Sequence, residues 1–243
     1  MKKEIKGLVS VIIPNHNRDI SRLIKSLKES TYKNIEILEI NLGYERSKQR
    51  NIGIDKARGE YFLFLDSDHE VSPYLIKDCV KKLNLFYYYN SVFLPEVIVA
   101  AGLFGKIRDW ERWFYNNTLI DAVRFVRAKY CPYFDESLNG PEDSDWDRRI
   151  PGEKIASDYP LYHNDNISFL AYLRKKAYYS ESMNKFANKW KGDKILDWEW
   201  RCFGVFLEEG KWKRFFSRPD LALAVLFIIF LRGIIYKWKT RLL

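Results

Sequence analysis

Three short runs rich in β-branched and aromatic residues, LVSVIIP (8–14), NIEILEI (34–40) and EYFLFLD (60–66), alternate with stretches of helical period. Such alternation with short connections predicts an α/β fold, a mostly parallel, doubly wound sheet flanked by helices. Asp19 suits an N-cap for a helix that places Ile20, Leu23, Ile24 and Leu27 on one face. ERSKQRNIGIDKAR (45–58) reads as a helix stopped by Gly59. Ser72-Pro73 opens another, with Leu75, Ile76, Cys79, Val80 and Leu83 facing inward. Beyond residue 91 the pattern is mixed. SVFLPEVIVA predicts a strand, at a sheet edge because of Pro95, and GKIRDWERWFYNNTLIDAVRFVRAKY (105–130) predicts helix over most of its length.

The third run is apolar enough to be buried on both faces, yet it ends in FLFLDSDHE (62–70), a knot of carboxylates. Close carboxylates repel, and a divalent cation is the usual compensation. Ligands of parallel sheets bind at the carboxyl ends of the strands, where both this cluster and PNHN (14–17) fall. A second acidic passage, FDESLNGPEDSDWDRR (134–149), follows in a loop-rich region.

VSVIIPNHN (9–17), RNIGIDKARGEYFLFLDSD (50–68) and the acidic passage together resemble glycosyltransferase family 2, in the family's order and at ordinary spacing over roughly residues 8–165. The resemblance implies a GT-A fold and an inverting enzyme that moves a sugar from a UDP- or GDP-sugar. It implies a divalent metal, Mn²⁺ or Mg²⁺, at the D-x-D motif. Asp68 would ligate it directly, and Asp66 would contact the ribose or metal-bound water. The metal would stabilise charge on the leaving diphosphate. The acceptor hydroxyl needs a general base on the opposite face, and the family's base matches Asp143. Glu142, Asp145 and Arg149 stand beside it to orient the acceptor or hold the helix start. Pro14, Asn15 and Asn17 match the loop that cradles the nucleoside, and Arg50 matches a donor contact. Asn41 falls where the family commonly has an Asp that reads the base, which leaves uracil and guanine open. His163, in YPLYHND, matches a metal- or phosphate-facing histidine, whereas His69 receives no role.

The charge is uneven. Residues 183–243 carry 13 Lys/Arg against 6 Asp/Glu, a net +7 of the chain's +9. Aromatics crowd the same segment, and LALAVLFIIFL (221–231) is an apolar run shorter than the roughly 20 residues that span a bilayer. The expectation is a catalytic domain over 1–180 and a helical, membrane-associated region over 181–243. Trp212, Leu221, Leu226, Phe227, Phe230 and Trp238 would meet lipid, and Arg232 would snorkel to phosphates. The catalytic domain would be cytoplasmic and the acceptor a hexose-receiving polyprenyl- or dolichyl-linked molecule, with mannose and glucose as candidate sugars. The other use for the apolar helix is packing on the catalytic domain or on a second copy of the chain as a homo-oligomer. So long an apolar run disfavours nucleic acid as partner, and the absence of glycine in PNHNRD disfavours a nucleotidyltransferase phosphate loop. Three cysteines without close spacing fit a reduced compartment, and the N-terminal apolar run, closed by Pro14, reads as a strand rather than a leader.

Overall fold

The computed structural model describes residues 4–240; residues 1–3 and 241–243, the outer ends of the two expected regions, lie outside the described residues. The expected alternation is present as β1 (Ile5–Pro14), α1 (Ser21–Glu29), β2 (Ile35–Ile40), α2 (Arg46–Lys56) and β3 (Gly59–Phe64). The chain continues through β4 (His69–Val71), α3 (Leu75–Leu85), β5 (Tyr89–Phe93), β6 (Glu96–Ile98), α4 (Gly102–Tyr115) and β7 (Phe125–Arg127). Then come α5 (Glu142–Arg149), β8 (Glu153–Ala156) and β9 (Leu161–His163).

The main sheet has the order β2-β1-β3-β7-β5-β8, and a small sheet runs β4-β9-β6. Strand β1 is parallel to β2 and β3, β7 is antiparallel to β3 and β5, and β8 is parallel to β5. Period-two alternation along β1 sends Val9, Val11 and Ile13 toward α1 and α3, where Leu23, Leu27, Leu75, Ile76 and Leu83 complete an aliphatic core. Ile12 faces the other way, with Phe62, Phe64, Phe134 and Trp146. On that side α2 lies so close that a Cβ at Gly53 would fall on the Ile12 side chain.

Two expectations are corrected. The helix predicted over 105–130 ends at Tyr115, because Asn117 turns the chain with φ of 62°. Phe125–Arg127 then enters the middle of the main sheet as a strand. SVFLPEVIVA is not one edge strand. Pro95, which lacks an N–H, separates interior β5 from β6, and the two belong to different sheets.

The C-terminal quarter is helical: α6 (Phe169–Tyr179), α7 (Met183–Lys189), α8 (Val205–Leu207), α9 (Trp212–Ser217) and α10 (Pro219–Thr240). Ile107, Trp110 and Phe114 of α4 share one core with Tyr172, Phe206, Phe215, Leu221, Val225 and Ile228. Leu221, expected at lipid, is therefore buried, and Leu226 is partly buried against the same cluster. Arg232 is corrected too. It turns inward, pairs with Glu111 and donates to the hydroxyls of Tyr172 (3.1 Å) and Tyr115 (3.2 Å), because the buried carboxylate gives its charge a partner that an outward rotamer would forfeit.

Candidate active site

The carboxyl ends of β1 and β3, with α6 across them, enclose a cleft of about 550 Å³. Pro14, Asp66, Asp68, Asp143 and His163 line it together, although they come from four separate stretches of sequence. This wall also contains Arg18, Arg46, Arg108, Arg124, Lys175 and Lys176, six cations that the sequence reading did not single out. No local signal could have found Arg124, since it arrives on the loop into the unrecognised strand β7.

The loop after β1 is held from within. Asn15 donates to Glu39 Oε1 (2.7 Å) and to the Arg18 carbonyl (3.0 Å), and accepts from the Arg18 N–H. Its side chain is thereby spent on the loop, not on the cleft where the sequence reading put it. Asn17 adopts φ of 54°, a left-handed geometry that asparagine tolerates, and is exposed. Gln49 donates to the carbonyls of Asn15 and Gly43, tying this loop to the turn after β2. As a result the rings of His16 and Tyr44 meet at 4.6 Å on the rim. Asn41 is exposed and outside the cleft lining.

Arg50 lies beneath the cleft, its side chain only 1% exposed, rather than at its surface. It donates to Asp66 (2.9 Å), pairs with Asp143 and stacks over Phe134. Arg124 reaches Asp66 at 3.4 Å. Burial alone would raise the Asp66 pKa, but Arg50 and then Arg124 hold it well below the usual carboxylate range. Glu142 is buried against Arg46 at 2.7 Å. Asp145 is fully buried and bonds Lys189 (2.7 Å), the Trp190 indole (2.9 Å) and Arg149 (2.9 Å). Glu142, Asp145 and Arg149 thus brace α5, which begins at Glu142, from outside the cleft lining.

The donor atoms around Asp68 fit a divalent cation. Asp68 Oδ1 is buried without a hydrogen-bond partner and lies 3.6 Å from His163 Nε2. His163 Nδ1 is 2.5 Å from Glu96 Oε1, so a carboxylate orients the ring and leaves Nε2 for the ligand side. Glu96 is anchored in turn by Arg112 at 2.9 Å. Burial opposes protonation of His163, but the carboxylates of Asp68 and Glu96 beside its ring prevail and push its pKa up to about 9. A cation arriving there must displace a proton. His69 lies in the same cluster, within 4.8 Å. Its Nδ1 accepts from the Asp66 N–H at 3.0 Å, which puts the neutral ring's proton on Nε2. Burial, reinforced by Arg124, lowers its pKa to about 4. With Nδ1 accepting that N–H and Nε2 protonated, the neutral ring offers a cation no free lone pair, and His69 is not a ligand.

The GT-A-like sheet thus presents its acidic strand ends to a cleft at the position where open α/β sheets bind ligands. Residues 39–130 match the model of glycosyl transferase family 2. The crystal structure of S. aureus TarS 1-349 in complex with UDP-GlcNAc superposes with a TM-score of 0.50 at 16% identity, covering 99% of this chain and 92% of that one. Another TarS crystal structure gives a TM-score of 0.51 at 16% identity, with 98% and 52% covered. At that identity the likeness establishes the fold. The search of curated proteins gives no match.

Proposed function

We propose that this chain is an inverting, metal-dependent glycosyltransferase that moves a hexose from a UDP- or GDP-sugar to a membrane-located acceptor on a polyprenyl-type carrier. The observation that carries the reading is the convergence of Asp68, His163 and Asp143 on one cleft. Asp68 and His163 would hold Mn²⁺ or Mg²⁺, with Asp66 behind them. When bound, the metal neutralises charge on the leaving diphosphate. Asp143 accepts the proton of the attacking hydroxyl, and Arg50 fixes its carboxylate in place. Tyr44 and His16 stack on the base, and Arg18 and Arg124 meet the phosphates. TarS was solved with UDP-GlcNAc, so UDP-sugars are the first donors to test.

The chain is divided, in this reading, into a GT-A domain over 1–180 and a C-terminal helical region that rests on lipid. Helix α10 buries one face in the protein and exposes Leu223, Phe227, Phe230, Ile234 and Trp238 on the other. By length and composition, Pro219–Trp238 could cross a membrane, with a third of its apolar window buried inside the protein. A buried face and the inward Arg232 favour a helix lying in the interface. The domain it carries is then cytoplasmic.

Calorimetric titration of UDP, GDP and their sugar conjugates, with and without Mn²⁺ or Mg²⁺, tests the donor site. Metal-dependent binding of one nucleotide class, lost in Asp68→Ala, is expected; metal-independent binding would overturn the metal assignment. For the membrane face, Leu223→Ser/Phe227→Ser/Phe230→Ser is expected to abolish flotation with anionic vesicles. Unchanged flotation of the folded variant would remove α10 from the interface.

A further inference from the structure

The cations of the cleft outnumber what its aspartates require. Asp66 is covered by Arg50 and Arg124, Asp68 by Arg18 at 3.5 Å, Asp143 by Arg50 and Asp165 by Arg108 at 2.6 Å. Lys175 and Lys176, on the face of α6 that lines the cleft, have no hydrogen bond or ion pair among the described residues. Lys176 Nζ and the Arg108 guanidinium both lie against the Tyr172 ring, at 5.4 and 5.2 Å from its centroid. Asp165 already balances Arg108, so of the two cations on this platform Lys176 is the one without an anion beside it among the described residues.

We propose that Lys175, Lys176 and Arg108 form a second anion subsite, which takes a phosphate of the acceptor. The inference rests on the donor reading above and deepens it. The subsite adjoins the donor's in the same cleft, since Arg108 pairs with Asp165, whose carboxylate lies 3.9 Å from His163 Nε2. The end of α6 bonds toward the donor rim, with Tyr178 Oη 3.3 Å from Glu45, whereas its start packs on Phe104 of α4. Lys176 stands on the side bordered by α4 and α10, since the Tyr172 ring beside it also carries Arg108 of α4 and its hydroxyl accepts from Arg232 of α10. Electrostatics agree with the geometry. Burial, then Arg232, lower the Lys176 pKa to about 7, with Lys175 and Arg108 adding to the effect and Glu111 opposing it. An anion between these groups relieves that repulsion and restores the full charge of Lys176.

The test loads the full chain with UDP and Mn²⁺ and titrates two probes, a short prenyl phosphate below its micelle threshold and glycerol 3-phosphate. Lys175→Ala/Lys176→Ala is expected to weaken probe binding at least tenfold while UDP affinity stays within twofold, and Lys175→Arg/Lys176→Arg is expected to retain both. Binding of the prenyl phosphate alone assigns the phosphate to a lipid carrier; binding of both assigns it to any phosphoester. The subsite is overturned if neither probe binds, if the alanine variant binds equally well, or if UDP affinity falls by the same factor as probe affinity. Should UDP fail to bind the unmodified chain, the donor reading falls, and the same titration without UDP still decides the role of the lysines. Lys176→Gln alone replaces the double variant if circular dichroism shows that it does not fold.

Discussion

On the β1–β3 side of the cleft the carboxylates sit at the ends of strands whose aliphatic side chains fill the core, whereas on the α4–α6–α10 side the cations stand on helices joined by aromatic rings. Trp110, Phe114, Phe206 and Phe215 meet at centroid distances of 4.8–5.7 Å across three helices, α4, α8 and α9. In the sheet side, position follows from hydrogen-bonded register, and Asp66 and Asp68 inherit the rigidity of β3. In the helical side, position follows from ring packing and from the buried Arg232–Glu111 pair. The comparison teaches that the carboxylates of the cleft are placed by the backbone and its helical cations by side-chain packing.

The largest effect should come from the sheet side. Asp143→Asn is expected to lower transfer by about 10²–10⁴-fold while UDP-sugar affinity stays nearly constant, read by radiolabel transfer and calorimetry. An equal fall in donor affinity would mean that Asp143 serves binding. On the helical side, Glu111→Leu strands a buried guanidinium and should cost about 3–5 kcal/mol of stability in urea unfolding, much of it restored in Glu111→Leu/Arg232→Leu. A loss under about 1 kcal/mol would show that the ion pair does not fix α10.

A third measurement sharpens the contrast through pH. His163 is raised to about 9 in the folded, metal-free chain, so its contribution to stability is fully present below about 6.5 and fades as pH rises through 9. Because the cation competes with that proton, Mn²⁺ affinity should climb by roughly tenfold per unit from pH 6.5 to 8.5 and then level. A flat profile would remove His163 from the ligand set. The smallest effect is expected at the rim. Tyr44→Ala should cost about 0.5–1.5 kcal/mol of UDP affinity and leave unfolding unchanged.

The sheet side was the legible one. β-Branched runs identify β1 and β2, and an apolar run ending in D-x-D locates both strand and site. The short strand β7 carries no usable period, and it hid behind a helix-like stretch. The helical side resists reading for a different reason. Its segments are brief, with a π-helical turn at Trp200–Gly204 between 3₁₀ and α pieces, and aromatic packing leaves no clean amphipathic stripe. Nor can a sequence say which lysine remains unpaired, since Lys176 and Arg108 meet at Tyr172 only after α6 docks on α4. Arg50 shows the limit most plainly. Its motif marked it as a donor contact, while the fold places it under both acids.

That buried guanidinium has a kinetic consequence. One side chain restrains both Asp66 and Asp143, and its Nε has no hydrogen-bond partner among the described residues. If the proposed function holds, a donor that draws on Asp66 would shift Arg50 toward Asp143, and donor and acceptor would not bind independently. By thermodynamic reciprocity, whatever factor the donor imposes on acceptor affinity, the acceptor imposes on the donor. Initial-rate plots should intersect away from the axis with an interaction factor different from one, and Arg50→Lys, which cannot bridge both acids, should bring that factor to unity.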